Sequence, residues 1–449
     1  MTNRDHGRGR VSRRQVIATA AAVSFAAGAG PFFHTGRARA AQKTLRILQW
    51  SHFVPGYDRW FNNEYVKEWG QKNDTDVVVD NINLALIPSR AAAEVSAQKG
   101  HDLVLFLSPP SVFEDQVVDM KDVYAEVQRK HDKPIDLAVK STYNPKTGKY
   151  FAFSDSFVPD PVNYRTDLWD DAGMKPDTWD DVLAGGRKIK QKAGIPVGVG
   201  LSAELDTSMA MRAIMYSFGS HEQTEAGEIA ISSKETLDAL KYVKALFQET
   251  MTPEVLAWDA SSNNRAMLAG RSSLVLNAIS ITREGENSKL PIHEKIGLAK
   301  AAKGPVRQIG LEHVMNCYVV WKFAQNVDGA KKFLVDYIDS FPKAFRASEF
   351  YNFPCFRSTV PDLAALIGND AKAVPADKYK VLADSFDWAT NVGYPGYSNA
   401  AIDETFNTWV IPTMFAKTAT GAETPEDALK QAEAQMKRIW EKWRDKGMI

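Results

Sequence analysis

The chain has 449 residues, of which 44% are hydrophobic and 24% are charged, and 55 basic residues balance 55 acidic ones. This composition is typical of a folded globular protein, and the length exceeds what one hydrophobic core usually serves, so two or three domains are expected. Proteins that bind nucleic acid or an anionic membrane surface usually have an excess of basic residues, so the charge balance argues against both functions here.

Residues 1–40 are predicted to be a twin-arginine export signal. Arg13 and Arg14 precede a stretch rich in Ala and Gly over residues 18–30, and residues 38–40 offer a small-residue cleavage site. That stretch is shorter than the roughly 20 apolar residues of a membrane-spanning helix. No Cys lies near the cleavage site to accept a lipid. We therefore expect a protein that is free in the periplasm and mildly acidic, since 48 basic and 54 acidic residues remain after residue 40.

Strand and helix patterns alternate from the start of the mature part. Apolar runs and helix-like stripes follow in the order strand, helix, strand, helix, strand at residues 44–50, 58–69, 76–80, 91–99 and 103–107. This order predicts a mainly parallel sheet with crossover helices. Amphipathic helices are predicted later at residues 236–249 and 426–443. Thr424 and Pro425 are predicted as the N-cap and the first residue of the second of these helices.

No catalytic or metal-binding motif stands out in the sequence. It contains no phosphate-binding loop, no H-E-x-x-H, no C-x-x-C and no G-x-S-x-G, and the six His after residue 40 lack metal-ligand spacing. Acidic pairs such as Asp180-Asp181 are interpreted as helix-start residues that stabilise the helix dipole. Cys317 and Cys355 are equally well explained as a disulfide and as two buried thiols. We expect no cofactor and no metal.

Five blocks of sequence, in order between residues 148 and 429, carry a family resemblance. They cover residues 148–153 with 162–173 and 176–182, then 266–271, 329–338, 354–358 and 424–429. In these blocks the chain resembles the extracellular solute-binding proteins of the maltose-binding type, the receptor components of ABC importers. One departure is Tyr164-Arg165-Thr166, where the family usually has Tyr-Asn-Lys.

The resemblance implies a two-lobed α/β fold of the periplasmic-binding-protein type (type II-like), with a mainly parallel sheet flanked by helices in each lobe. Three hinge crossovers would join the lobes near residues 153–156, 311–316 and 377–385. Lobe one would hold residues 41–154 and 314–376, and lobe two would hold residues 155–313 and 377–449. Ligand would bind in the cleft between the lobes and favour their closure.

Ligand contacts are expected at the carboxyl ends of strands and at the crossovers, because open α/β sheets bind ligands there. The candidates are Trp50, Ser51, His52, Ser108, Ser154, Asp155, Trp258, Asn277, Ser280, Glu312, His313, Tyr394 and Tyr397. Aromatic faces would stack on the apolar faces of a sugar, and the polar side chains would pair with its hydroxyl groups. Packing is the alternative role for the aromatic residues, and structural hydrogen bonding is the alternative for the histidines.

The function predicted from the sequence is that of a non-catalytic receptor. It would capture a sugar, oligosaccharide or polyol and deliver it to the transmembrane permease of an ABC importer. A receptor for a charged small molecule, such as a polyamine, an amino-acid derivative or a phosphate ester, is one alternative. An exported glycoside hydrolase with two catalytic carboxylates is another. We expect a monomer with no nucleic-acid partner.

Overall fold

The strands belong to two main sheets and one short hairpin. The structure is a computed structural model that describes residues 43–449, and the predicted export signal lies outside these residues. The strands are β1 (Lys43–Trp50), β2 (Thr75–Ile82), β3 (Leu103–Phe106), β4 (Tyr143–Asn144), β5 (Lys149–Tyr150), β6 (Phe153–Pro159), β7 (Val162–Arg165), β8 (Val197–Gly198), β9 (Leu274–Leu276), β10 (Ile296–Ala299), β11 (Gly310–Val320), β12 (Phe353–Pro354) and β13 (Ala389–Thr390).

Helices connect and cover these strands. The first nine are α1 (Pro55–Trp60), α2 (Val66–Lys72), α3 (Ile87–Ala97), α4 (Lys121–Lys130), α5 (Asp136–Thr142), α6 (Thr166–Asp171), α7 (Trp179–Ala193), α8 (Leu205–Ser217) and α9 (Lys234–Thr250). The others are α10 (Ser262–Leu268), α11 (Ser280–Asn287), α12 (Val327–Asp339), α13 (Phe341–Ala347), α14 (Leu363–Ile367), α15 (Ser385–Trp388), α16 (Ala400–Asn407), α17 (Val410–Thr420) and α18 (Pro425–Asp445).

The larger sheet has the strand order β12-β6-β11-β3-β1-β2, and β13 pairs with β11 at one end. Strands β1, β2 and β3 are parallel, as the alternating sequence pattern predicts. Leu45 and Ile47 of β1 are completely buried, and so are Leu103 and Val104 of β3. A continuous apolar strand such as β3 is expected where helices cover both faces of a sheet. We call this sheet and the helices packed on it the large-sheet lobe.

The smaller sheet has the order β10-β7-β9-β8 and forms the centre of the small-sheet lobe. Only β8 and β9 are parallel in it, whereas β7 pairs antiparallel with both β9 and β10. In the larger sheet, β11 is antiparallel to both β3 and β6. The prediction of mainly parallel sheets is therefore wrong in this detail. The reason is that β6 carries the chain out of the larger sheet while β11 brings it back, so these two strands must run in opposite directions.

The two lobes are joined at the ends of these crossing strands. Strand β6 ends at Pro159, and β7 enters the smaller sheet at Val162, so the change of sheet occurs at Asp160 and Pro161. In the returning strand, Glu312 lies opposite Pro159. This register places the first residues of β11 directly beside the link between β6 and β7.

The amphipathic helices predicted near residues 236–249 and 426–443 are confirmed as α9 and α18. Thr424 caps α18, since its hydroxyl accepts a hydrogen bond from the Asp427 N–H at 3.1 Å, and Pro425 is the first helical residue. The buried stripe of α18 includes Met436 and Trp440, and the Trp440 indole donates to the carbonyl of Gly227 at 2.8 Å. Cap and stripe together explain why a long helix forms at this end of the chain.

Cys317 and Cys355 are buried free thiols rather than a disulfide. Both lie against Ser154, because Cys317 is its partner in the pairing of β11 with β6 and the Cys355 sulfur is 3.4 Å from its hydroxyl. No helix within residues 43–449 combines the length and the apolar character that crossing a membrane requires.

Candidate ligand-binding site

Asp160, Asp206 and His313 come together where the chain passes between the two sheets. Asp160 lies in the link between β6 and β7, and His313 lies near the start of β11. The Nδ1 atom of His313 is 3.3 Å from a carboxylate oxygen of Asp160, and its Nε2 atom is 3.5 Å from one of Asp206. All three side chains are almost completely buried. An imidazole ring is therefore held between two carboxylates.

The start of helix α8 supplies Asp206 together with a third carboxylate, Glu204. Glu204 is the N-cap of α8, and its carboxylate accepts hydrogen bonds from the backbone N–H groups of Asp206, at 2.7 Å, and of Thr207. Asp206 follows in the first turn, where the helix dipole favours negative charge. Its other oxygen accepts a hydrogen bond from the Asn263 amide at 2.6 Å. We call Asp160, Glu204, Asp206 and His313 the carboxylate–histidine cluster.

A chain of amides extends from this cluster into the small-sheet lobe. The side-chain amide of Asn277 donates to Asn264 at 2.6 Å, and the Asn264 amide lies 3.3 Å from the hydroxyl of Ser280. Asn163 donates to the carbonyl of Asn277 at 2.7 Å. Asn277 and Ser280 thus lie together just beyond the carboxyl end of β9, and their contact with a ligand stays a prediction.

Aromatic rings of the large-sheet lobe lie near the cluster. The ring of Trp50, at the end of β1, stacks on His52 with centroids 4.8 Å apart, and Tyr351 packs edge-on against His52 at 5.0 Å. Burial, and then the negative charges of Asp206 and Asp160, hold the pKa of the Tyr351 hydroxyl well above its usual range. Tyr351 therefore packs with Trp50 and His52 in the large-sheet lobe.

The cluster holds protons that isolated side chains would release. Burial alone would lower the pKa of His313, but the charges of Asp206 and Asp160 outweigh burial and raise it to about 9. Burial raises the pKa of Asp206 and of Glu204, although the nearby imidazolium acts in the opposite direction. Outside the cluster, burial lowers the pKa of His52 to about 4, so its ring is neutral at pH 7.

Several buried polar atoms around the cluster have no hydrogen-bond partner within residues 43–449. They are Oδ1 of Asp160, Nδ1 of His313, Oδ1 of Asn163, the hydroxyl of Tyr351 and Nε1 of Trp50. Oδ1 of Asp160 and Nδ1 of His313 face each other at 3.3 Å as an ion pair. Buried polar atoms are nearly always paired in folded proteins, and each unpaired one costs about 1–3 kcal/mol. A polar ligand would satisfy these atoms.

The described residues offer no metal site here or elsewhere. Within residues 43–449, no three His, Cys, Asp or Glu side chains are placed to hold a metal ion. In the cluster, the His313 ring is positively charged when its raised pKa keeps both nitrogens protonated, and a protonated ring cannot ligate a metal. The carboxylate–histidine cluster can form hydrogen bonds with polar groups, and its His313 ring is positively charged when protonated.

Glu312 lies away from the cluster, although it precedes His313 in the chain. Its carboxylate accepts a hydrogen bond from the Val392 N–H at 2.9 Å, and its second oxygen has no partner in the described part of the chain. Burial raises the pKa of Glu312 to about 8. Successive strand residues point to opposite faces, so only His313 of this pair faces Asp160.

Ser154 and Asp155 lie within β6, inside the large-sheet lobe. The Ser154 hydroxyl donates to the carbonyl of Ser156 at 3.2 Å. Burial raises the pKa of Asp155 to about 7, and its carboxylate oxygens are unpaired within residues 43–449. Both residues lie before the link between β6 and β7, within the larger sheet, where their side chains are buried.

Tyr394 and Tyr397 lie in the loop after β13, on the Val392 side of β11. The Tyr394 hydroxyl accepts a hydrogen bond from Arg307 at 2.6 Å, and its ring packs on Tyr216 at 5.7 Å. The ring of Tyr397 meets the edge of Tyr143 at 6.1 Å. The two tyrosines therefore pack against different partners, and none of these contacts is with the carboxylate–histidine cluster.

The remaining candidates border the site or the surface. Trp258 is half-buried, its carbonyl accepts a hydrogen bond from Ser202 at 2.6 Å, and Gly198 lies so close that a Cβ there would be 2.6 Å from the indole. Ser202 in turn contacts Thr207 at the start of α8. Ser51 is exposed, and Ser108 is half-buried in the loop after β3. Ligand contact by these residues stays a prediction.

Sequence reasoning missed several residues that surround His313. They are Asp160, Glu204, Asp206, Asn263 and Tyr351. The two prolines that flank Asp160 are a usable signal, because a proline on either side interrupts strand pairing and marks a change of direction. The acidic residues before and within the first turn of α8 carry no such signal, since carboxylates commonly occur there for capping alone.

Residues 55–337 match the family model described as bacterial extracellular solute-binding protein. Two relatives from Brucella abortus (strain 2308) and Brucella suis biovar 1 (strain 1330), each described only as a binding protein, are 26% identical over 204 residues. The matched segment covers 44% of this chain and 48% of each relative. The chain thus spans about half the length of these relatives.

Solved structures of similar fold cover nearly the whole described chain. The maltose-bound MalE3 of T. maritima is 18% identical and covers 88% of this chain and 99% of its own, with a TM-score of 0.73. A ribitol-bound solute-binding protein of Agrobacterium radiobacter K84 is 18% identical, covers 88% and 98%, and has a TM-score of 0.71. A zinc-bound protein of Synechococcus sp. MITs9220, described as a "putative oligosaccharide periplasmic-binding protein", is 14% identical, covers 89% of this chain and 100% of its own, and has a TM-score of 0.74. With two lobes joined at β6 and β11, the chain belongs to the bacterial extracellular solute-binding protein family and has the two-lobed fold of periplasmic binding proteins.

Proposed function

We propose that the chain is a non-catalytic receptor that captures a small polar solute, a sugar, oligosaccharide or polyol, between its lobes. It would then deliver this solute to the transmembrane permease of an ABC importer. Neighbours with the same fold are described as bound to maltose, ribitol and laminaribiose, which supports this class of ligand.

The observation that carries the proposal is the set of unpaired buried polar atoms at the junction of the lobes. Asn163 presents an acceptor oxygen, and Tyr351 and Trp50 present an O–H and an N–H beside aromatic rings. A sugar offers hydroxyl groups, which both donate and accept, on an otherwise apolar ring. Pairing with these atoms would recover the free energy that leaving them unpaired costs, and the rings would cover its C–H faces.

We expect ligand binding to close the lobes, because the candidate ligand contacts come from both of them. In this proposal Asp206, Asn264 and Asn277 belong to the small-sheet lobe, and Trp50 and Tyr351 belong to the large-sheet lobe. A ligand that contacts both sets binds the closed form better than the open form and shifts the population toward closure. The lobe division at residues 41–154 with 314–376 and residues 155–313 with 377–449 remains part of this proposal. The permease would recognise and bind the closed form of the receptor.

A thermal-shift screen tests the ligand class. Maltose, laminaribiose, ribitol and tagatose are to be compared with polyamines, amino acids and phosphate esters, because a ligand that binds the native state raises the melting temperature by mass action. We expect a rise with members of the carbohydrate set, and a smaller rise with the Asp206→Asn protein than with wild type. A rise only with polyamines, amino acids or phosphate esters would contradict the carbohydrate assignment.

Recovery of the bound ligand separates a receptor from a hydrolase. Saturable binding, followed through tryptophan fluorescence, is expected to release the sugar unchanged after dialysis, because no covalent step is proposed. Detection of a shorter product by chromatography would favour the exported glycoside hydrolase instead.

We also propose that the protein is exported by the twin-arginine route and acts as a monomer in the periplasm. Arg13 and Arg14 support the route. Replacing both with Lys is expected to retain the protein in the cytoplasmic fraction, while wild type appears in the periplasmic fraction. Firm association of wild type with membranes would contradict the proposed location.

A further inference from the structure

Helix α11 contacts a segment that flanks strand β12 of the larger sheet. The helix itself connects β9 to β10 of the smaller sheet. Arg283 of α11 donates hydrogen bonds to the carbonyl of Glu349 at 2.9 Å and to the carboxylate of Asp370 at 2.5 Å. Glu349 precedes β12, and Asp370 follows it. Since Arg283 is only 1% exposed, its charge is buried between parts of the chain that build different sheets.

A second layer of contacts lies one turn further along α11. Asn287 donates to the carboxylate of Glu349 at 2.9 Å. The Lys372 ammonium donates to the side-chain oxygen of Asn287 at 2.9 Å and to the same carboxylate at 3.0 Å. We call Arg283, Asn287, Glu349, Asp370 and Lys372 the α11 network. In the proposed lobe division, the first two of these residues belong to one lobe and the other three to the other lobe.

Another contact of α11 is with the predicted third crossover, and it has a different character. The hydroxyl of Tyr379 lies 2.7 Å from the Thr282 hydroxyl and 2.9 Å from the Glu286 carboxylate. Residue 379 falls within the predicted crossover at residues 377–385, which would stay beside α11 when the lobes move. Glu349 lies far from that crossover in the chain, before β12. Its contacts with α11 therefore depend on how the two lobes are placed.

Both sides of the α11 network continue into the candidate ligand-binding site. On α11, Ser280 lies one turn before Arg283, and the Asn264 amide is 3.3 Å from the Ser280 hydroxyl. On the other side, Tyr351 follows two residues after the network's glutamate and packs edge-on against His52 at 5.0 Å. Each of the two segments thus carries a network residue and a candidate ligand contact within one helical turn or less.

We propose that the α11 network is a latch that holds the two lobes in the closed arrangement. This inference rests on the proposed solute-binding function and names contacts that set its closure equilibrium. Contacts between lobes stabilise only the arrangement in which they form, so they raise the affinity for a ligand that binds this arrangement. Because Asn287 and Lys372 form their hydrogen bonds near the surface, water can replace these bonds when the lobes separate, and the latch can open to release the ligand.

Removing the outer layer tests the latch. The variants are Asn287→Ala, Lys372→Ala and the double replacement, which leave the buried Arg283 in place, and melting without ligand checks that each is folded. The probe is whichever of maltose, laminaribiose, ribitol and tagatose binds wild type most tightly. Calorimetry is expected to show an affinity loss of at least roughly fivefold in the double variant, as is typical of coupling between distant groups. Stopped-flow tryptophan fluorescence should assign this loss to faster dissociation, with little change in the association rate constant, because the latch acts on the closed form.

Two further variants separate a latch from a general structural effect. Lys372→Arg is expected to keep most of the affinity, because its guanidinium can donate to both partners of the lysine. Lys437→Ala, which breaks a pair with Glu433 within α18, is expected to change neither the affinity nor the dissociation rate constant. An equal loss of affinity in Lys437→Ala and in Lys372→Ala would overturn the latch.

The remaining outcomes distinguish the latch from the proposed function. An unchanged affinity in the double variant would overturn the latch and leave the receptor standing. A higher affinity would overturn the latch as well, because the network would then favour the open arrangement. An affinity loss that comes only from slower association would have the same meaning. If wild type bound none of the four solutes, both the carbohydrate receptor and the latch would be overturned.

Discussion

Helix α8 carries one charged residue in its first turn and another near its middle, and the two lie in different surroundings. Near its start, Asp206 meets His313 at 3.5 Å, in a cluster with unpaired atoms. Two turns later, Arg212 forms two parallel hydrogen bonds with Glu222, at 2.8 and 2.7 Å, and both side chains are completely buried. The Tyr216 hydroxyl also donates to Glu222 at 2.8 Å.

This difference distinguishes a structural charge from one that serves a ligand. The Arg212–Glu222 pair satisfies its own hydrogen bonds, so it needs nothing from outside and fixes α8 in the small-sheet lobe. The carboxylate–histidine cluster keeps unpaired polar atoms at the junction of the lobes. Burial by itself therefore does not identify a functional residue, and our proposal depends on unmet hydrogen bonding at the junction of the lobes.

The largest loss of stability is expected when the buried Arg212–Glu222 ion pair is broken. Glu222→Gln leaves the Arg212 charge buried without its counter-ion, which typically costs about 3–5 kcal/mol of unfolding free energy. Urea unfolding monitored by circular dichroism would measure it. The double replacement Arg212→Met with Glu222→Leu is expected to recover most of this loss, because neither charge remains. An unchanged stability in Glu222→Gln would show that the pair is not the anchor described here.

The cluster is expected to respond less strongly. Asp160→Asn removes one of the two carboxylates that face His313, and Asp206 remains as its counter-charge, so the loss of unfolding free energy should be smaller than that of Glu222→Gln. The same urea titration measures this. A loss as large as that of Glu222→Gln would mean that Asp160 is a structural residue.

Glu312 lies between these two extremes, with one oxygen paired and one unpaired. Burial raises its pKa to about 8, so the folded protein keeps a proton that the unfolded chain releases above about pH 4. The stability that this group contributes is complete below about pH 4 and is lost as the pH rises toward 8. Glu312→Gln should therefore make the slope of unfolding free energy against pH less negative, by up to about 1.4 kcal/mol per unit. Unfolding titrations at several pH values would show an unchanged slope if Glu312 were ionised throughout.

The smallest effect is expected for a carboxylate outside both regions. Glu433 pairs with Lys437 one turn along α18 at 2.8 Å, near the surface. Glu433→Gln should cost about 0.3–0.5 kcal/mol, because exposed pairs of this spacing contribute little. Thermal unfolding at low and high salt provides the check. A loss of several kcal/mol would show that removing any carboxylate destabilises the protein. The Arg212–Glu222 pair and the carboxylate–histidine cluster could then no longer be distinguished by stability.

Local sequence patterns predict much of the fold. Strand β3 is confirmed as a buried apolar run, and β1 is confirmed with Leu45 and Ile47 buried. Helix α18 is confirmed because Thr424 and its apolar stripe act within one segment. Asp180-Asp181, interpreted as helix-start residues, are confirmed as such, since Asp181 completes a capping box with Thr178. The direction of β11 escaped prediction, because it depends on a partner strand far away in the sequence.

Local patterns also explain why the sequence predicts only His313 among the four residues of the carboxylate–histidine cluster. Asp181 and Asp206 both lie in the first turn of a helix, and their local signals are alike. What separates them is His313, which the return of β11 brings to Asp206 from another part of the chain. His313 itself was named from its place near a crossover, whereas Asp160, Asp206 and Tyr351 became visible only once the register of β6 and β11 was known.

The most direct test is the rise in melting temperature that the best-binding sugar of the screen produces in wild type and in Asp206→Asn. The account predicts that Asp206→Asn melts within a few degrees of wild type without sugar and loses most of the sugar-induced rise. A full sugar-induced rise in Asp206→Asn would contradict it, and would place the binding site elsewhere than at the start of α8.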